Sequence, residues 1–161
     1  MIFWGSYASP LGRLTLMAGE QGLCGVSFSE CPLPKRGDSA HCPHRFERAF
    51  AQLDEYFHGQ RPSFELALDL SGGTDFQRKV WCELMTIPYG QTVSYRELAL
   101  RIGGVQLSRA LGAAVGRNPL PIIIPCHRVI GSDGSLTGYL GGLQRKQVLL
   151  ETEAINAEHF L

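Results

Sequence analysis

The stretch Ile122-Ile123-Ile124-Pro125-Cys126-His127-Arg128-Val129-Ile130 constrains this chain more than any other. It sets one thiol beside one imidazole between two apolar runs, and apolar runs of this kind belong inside a fold. A thiolate nucleophile needs a base or a positive charge to lower a pKa that starts at about 8.5. His127 is the nearest candidate in sequence. The segment reads as extended, and adjacent side chains of an extended segment point to opposite faces. His127 is therefore expected to act through a water and to be oriented by a third group. The plain alternative is a buried cysteine in a strand followed by a core histidine, and on the pair alone that plain reading is the favoured one.

With 161 residues the chain is long enough for one ordinary domain or two small ones. No apolar run approaches the roughly eighteen residues of a membrane span, and the start lacks a basic segment followed by a long apolar one. The expectation is a cytoplasmic protein with no membrane partner. Cys24, Cys31, Cys42, Cys82 and Cys126 make an odd count without a Cys-x-x-Cys pair, which fits reduced thiols rather than a disulfide framework. Cys24, Cys31, His41, Cys42 and His44 match no common zinc spacing, so no metal is expected there. Net charge is zero, but the average conceals an asymmetry. Residues 78–146 hold nine Lys/Arg against Glu83, Glu97 and Asp133. Such an excess is the footprint of a phosphate-facing half, although charge alone fits a partnerless basic surface equally well.

Along the chain, Ile2-Phe3-Trp4, Leu14-Thr15-Leu16 and Leu23 to Phe28 favour strands. Turn signals at Ser9-Pro10-Leu11-Gly12 and Gly19-Glu20-Gln21-Gly22 separate them, predicting an antiparallel meander. Residues 29–43 read as a surface loop. Phe46, Ala49, Phe50, Leu53, Tyr56 and Phe57 predict an amphipathic helix ending near Gly59, and residues 64–70 alternate weakly enough to suggest another strand. Ser71-Gly72-Gly73 marks a boundary between residues 1–72 and residues 73–161. Beyond it, Thr74-x-x-Gln77 forms a capping box ahead of Phe76, Val80, Trp81 and Leu84, a stripe that makes Trp81 a packing residue. Ile87-Pro88-Tyr89-Gly90 is a turn, and Ser94-x-x-Glu97 is a second capping box opening a helix to Ile102. Gly103-Gly104 breaks it, and a further helix runs from Gln106 to about Arg117 before Asn118-Pro119. Helix, Gly-containing turn, helix is the helix-turn-helix outline. Ala110, Gly112 and Ala113 beside Arg109 would allow close approach to a groove floor, but on the residues alone tight helix packing is the favoured reading.

Read outward, Asn118-Pro119-Leu120-Pro121 leads through Pro125-Cys126-His127-Arg128 to Leu136-Thr137-Gly138-Tyr139-Leu140-Gly141-Gly142. This segment, with Thr74-Asp75-Phe76-Gln77 and Ile87 to Tyr95 upstream, closely resembles the O6-alkylguanine-DNA alkyltransferases, also called methylated-DNA–protein-cysteine methyltransferases. The resemblance runs from about Thr74 to Glu153. It implies an α+β fold: a small amino-terminal antiparallel sheet with a helix, ribonuclease-H-like, then a mostly helical, winged-helix-like domain bearing the helix-turn-helix.

The resemblance also implies a single-turnover S-methyltransferase that moves an alkyl group from O6 of guanine, and from O4 of thymine, onto Cys126 and is spent by doing so. Its partner would be double-stranded DNA containing O6-alkylguanine, with no cofactor, and it would act as a monomer. Since such a group cannot be reached inside the stack, the base must be flipped out. By resemblance Arg109 fills the gap through the minor groove, with Ser94, Ala110 and Gly112 also on the DNA. His127 takes the thiol proton through water, Glu153 orients the imidazole, Tyr95 protonates the departing guanine and Asn118 holds the active-site turn. Val115 and Tyr139 line the slot, carbonyls of Val129 and Cys126 face the guanine amino group, and the Leu140 N–H faces O6. Arg128 and Lys146 are expected to be structural. Two features depart from the family pattern. Leu140 stands where a small residue is usual, which predicts poor repair of bulky adducts, and the turn at residues 103–107 lacks the usual proline. Two other classes compete: a non-catalytic lesion binder, against which Cys126 argues, and a Cys-His hydrolase, which would turn over steadily on a peptide or ester.

Overall fold

The computed structural model describes residues 1–28 and 39–161. The chain divides into two compact units, Met1–Leu70 and Ser71–Leu161.

The first unit is built on a four-stranded sheet in the order β3-β2-β1-β4, with β1 at Ile2–Ser9, β2 at Gly12–Gly19, β3 at Gly22–Phe28 and β4 at Ser39–His41. The first three strands form the expected antiparallel meander. β4 does not fit the expectation. Part of the stretch read as a loop pairs in parallel with β1, Phe3 opposite Ala40, so the sheet is mixed. Residues 29–38, including Cys31, lie outside the described residues. Helix α1, Glu47–Phe57, turns Ala49, Leu53 and Tyr56 inward with Gln52. Gln52 explains a second correction. Its side chain donates to the Glu65 carbonyl and accepts from the Glu65 N–H, supplying partners that a neighbouring strand would supply. Among the described residues, residues 64–70 consequently make a single bridge, Leu68 to Leu23, instead of a strand.

The second unit is mostly helical: α2 at Asp75–Leu84, α3 at Tyr95–Ile102, α4 at Ser108–Gly116 and α5 at Leu143–Asn156, with a two-stranded parallel ribbon of β5, Val93–Ser94, and β6, Val129–Ile130. Thr74 and Gln77 complete the predicted capping box of α2. Ser94 caps α3, but Glu97 does not reciprocate; its carboxylate pairs with Arg101 one turn on. Leu84, Leu98 and Leu111 are fully buried between the helices, each stabilising the fold by about 2 kcal/mol. Trp81 belongs to this core as its spacing predicts, and its indole N–H donates to the Ala114 carbonyl at 2.9 Å. α4 starts later than expected because residues 105–107 form a tighter 3-10 turn first. Helix α5 has no clear sequence signature, since its inward face carries Lys146 and Glu153 beside Leu149. Among the described residues, no helix is long and apolar enough to cross a membrane.

Candidate active site

The nucleophile's segment is not extended. Cys126, His127 and Arg128 form one turn of 3-10 helix between an irregular apolar run and β6. Pro125 ahead of Cys126 and the pairing of Val129 with Val93 set the limits of that turn. Ahead of it lies a tight loop closed by Asn118. The Asn118 Oδ1 accepts from the Leu120 N–H at 2.9 Å, and Nδ2 donates to the Ile124 carbonyl at 2.8 Å. Inside this loop Ile122 sits at φ +77° with its side chain buried. A β-branched residue there is strained, at a cost of order 1–3 kcal/mol, and the Asn118 clamp is what holds it.

Cys126 is 5% exposed and forms the floor of a cleft of about 540 Å³ walled by Tyr95, Gly112, Val115, Asn118, Tyr139 and Leu140. Burial pushes its thiol up to about 11, against the opposing pull of Asn118 and the Lys146 ammonium. The resting sulfur therefore keeps its proton, and a base must remove it when a substrate is in place.

That base lies behind the thiol. His127 is fully buried, and burial lowers its pKa despite Glu153 beside it. Burial would raise Glu153, but hydrogen bonds and charge from His127 and Arg128 outweigh it and bring the carboxyl down to about 2. Glu153 is thus an ionised acceptor, which assigns the imidazole tautomer: Nε2–H donates to Oε2 at 2.6 Å. Nδ1 then carries the free lone pair, and it has no hydrogen-bond partner among the described residues. Arg128 Nε donates to Glu153 Oε1 at 2.7 Å, Nη2 to Oε2 at 3.1 Å, and Nη1 to the Ile87 carbonyl at 2.6 Å. It is a buried ion-pair partner, in keeping with its expected structural part.

Lys146 is buried as well. Its ammonium donates to the Val129 carbonyl at 2.6 Å and the Thr137 carbonyl at 3.0 Å, tying β6 to the cleft wall. The Val129 carbonyl, expected to face a substrate amino group, is therefore already engaged, and Val129 is not part of the cleft lining. Sequence reasoning named Lys146 only as structural and missed its two carbonyl partners; a lysine in a helix gives no signal for them. It also missed the parts of Pro121, Gly116 and Thr137 as walls.

The remaining predicted residues lie on or beside the two helices of the helix-turn-helix. Ser94 caps α3 and Tyr95 begins it, facing the cleft. On α4, Arg109, Ala110 and Ala113 are exposed, and Gly112 has nothing within 4 Å of where a Cβ would stand. Tight helix packing therefore does not account for these small residues. They form an open, smooth surface beside the cleft. No cluster of three or more metal-ligating side chains occurs among the described residues. Cys42 and His44 approach each other, Sγ to Nε2 at 3.5 Å, and no third metal-ligating side chain joins them among the described residues.

Residues 75–155 match the family model of the 6-O-methylguanine DNA methyltransferase DNA-binding domain, and residues 2–70 match that of the ribonuclease-like domain of 6-O-methylguanine DNA methyltransferase. The chain is 47% identical over 158 residues to a methylated-DNA–protein-cysteine methyltransferase of Mycobacterium bovis, covering 98% of this chain and 95% of that one. It superposes on the crystal structure of the Mycobacterium tuberculosis O6-methylguanine methyltransferase with a TM-score of 0.90 at 45% identity, over 97% of this chain and 94% of the other. A structure of the M. tuberculosis protein in complex with DNA gives a TM-score of 0.90 at 46% identity, over 96% and 94% of the two chains.

Proposed function

The chain belongs to the 6-O-methylguanine DNA methyltransferase family, and from that premise we propose that it repairs DNA by moving the alkyl group of O6-alkylguanine onto Cys126. The observation that carries this reading is the joint placement of a buried thiol on a cleft floor, a neutral imidazole backed by an ionised carboxylate, and an exposed small-residue helix face alongside.

The thiol proton passes through a bridging water to His127 Nδ1, the ring atom that Glu153 leaves unprotonated. Imidazolium is then stabilised by the carboxylate at Nε2. The sulfur attacks the alkyl carbon in line. The S–C bond forms, the C–O6 bond breaks and its electron pair stays on the guanine oxygen. Tyr95, which lines the same cleft, supplies a proton to the departing base, so the proton lost by sulfur is matched by the one gained by guanine. A thioether has no leaving route back to a thiol, and the protein is consumed after one transfer. Arg109 and the smooth face of Ala110, Gly112 and Ala113 enter the minor groove and offset the few kcal/mol that base extrusion costs. Val115, Tyr139 and the Leu140 N–H grip the flipped base, and Asn118 keeps Cys126 in place. The protein acts as a monomer, in the cytoplasm, and also accepts O4-alkylthymine.

The test is a mass measurement on protein mixed with an equimolar duplex bearing one O6-methylguanine. A gain of one methylene on the Cys126 peptide, saturating at one per protein, is the expected result. Binding without mass gain would overturn transfer in favour of lesion recognition.

A further inference from the structure

The 87–90 turn between α2 and β5 carries no chemical side chain that the mechanism uses. Both of its ends nevertheless reach the buried ion pair. The Ile87 carbonyl accepts from Arg128 Nη1 at 2.6 Å, and the Gly90 N–H donates to Glu153 Oε1 at 3.1 Å. Arg128 also holds both Glu153 oxygens, so turn, guanidinium and carboxylate close a ring of hydrogen bonds. Glycine suits the position for two reasons. Its φ is +78°, where side chains rarely go, and a Cβ there would lie 2.7 Å from the Ala157 Cβ.

We propose that Gly90 is a positioning residue for the proton relay, its amide fixing Glu153 Oε1 so that Oε2 stays on His127 Nε2. The inference rests on the roles given above to Cys126, His127 and Glu153. The Gly90 amide, Arg128 and His127 all draw on one carboxylate. Releasing the amide leaves more negative charge for His127, which stabilises imidazolium and moves protonation of the base to higher pH. The imidazole is also faced by Arg128 and Lys146, whose charges oppose its protonation, while Tyr89 and Tyr139 stand within electrostatic reach of Glu153. These groups are the same with and without a substitution at residue 90.

The experiment compares single-turnover methyl transfer from an O6-methylguanine duplex, across pH, for wild type, A157G, G90A and G90A/A157G. A157G should behave as wild type. G90A should be slower by about tenfold or more, a part of the roughly 10²–10⁴-fold that a well-positioned general base contributes, with the acid limb of its pH profile displaced upward. G90A/A157G, which relieves the clash but not the φ strain, should recover part of both. In wild type, hydrogen exchange should find the Gly90 amide protected, and E153Q should shift its resonance. A folded G90A with wild-type rate and profile, a slowdown with an unmoved acid limb, or a freely exchanging Gly90 amide would each overturn the proposal. A wild-type protein that accepted no methyl would instead sink the function proposed above, and the amide measurement would still decide whether Gly90 holds Glu153.

Discussion

His127 Nε2 lies 2.6 Å from Glu153 Oε2, with the imidazole fully buried and its Nδ1 without a hydrogen-bond partner among the described residues. This one contact sets both the direction in which the thiol proton can travel and the way the fold responds to acid.

Acid should destabilise the protein in two steps. His127 has its folded pKa below the unfolded value of about 6.5, so the unfolded chain gains protons first and stability falls as pH drops below that value. Glu153 is held at about 2, well under its unfolded value of about 4.3. Its contribution, on the order of 3 kcal/mol, is present above pH ~4.3 and is lost as pH falls toward the folded value. Tm measured against pH should show this loss, and E153Q should flatten the part below pH ~4.3. An equally steep fall in E153Q would place the acid sensitivity elsewhere.

Glycine should replace Ile122 at least as well as alanine does. At ordinary helix or strand positions alanine is favoured over glycine by roughly 0.5–1 kcal/mol. Here φ is +77°, so I122A loses the buried side chain and keeps the strain, whereas I122G loses the side chain and sheds the strain. Denaturant titration of both variants checks the order. An I122G clearly weaker than I122A would mean that the loop relaxes out of the left-handed region once the isoleucine is gone.

Leu140 stands on the cleft wall with its side chain 54% exposed. L140A should widen the slot and raise the rate on O6-benzylguanine several-fold relative to O6-methylguanine. The ratio of the two single-turnover rates is the readout, and an unchanged ratio would show that Leu140 does not gate the adduct.

Ala113 is exposed on α4 and should tolerate substitution with less than about 0.5 kcal/mol of stability change. A113E nevertheless places a negative charge on the surface assigned to DNA. Binding to an O6-methylguanine duplex, followed by fluorescence anisotropy at fixed salt, should weaken by tenfold or more while Tm stays put. Unchanged affinity would remove α4 from the interface.

Periodicity alone determined the β-meander, α1, the capped start of α2 and the pair α3 and α4, because their inward faces are apolar and their ends carry capping residues or glycines. The Pro-Cys-His-Arg motif likewise singled out Cys126 and His127, while Glu153 entered only through the family resemblance. Tertiary structure decided the rest. α5 was illegible because two of its three buried positions are Lys146 and Glu153, charges that read as surface until carbonyls and a guanidinium are brought to them. The strand expected at residues 64–70 was replaced by the side chain of Gln52, from an element whose position no local pattern encodes. The expected extended conformation at Cys126 and His127 is instead a 3-10 turn, in which His127 Nδ1 has no hydrogen-bond partner among the described residues. The physical reason is common to all three. Burial of an apolar group depends on its own chemistry, whereas burial of a polar group depends on which distant partner arrives to satisfy it.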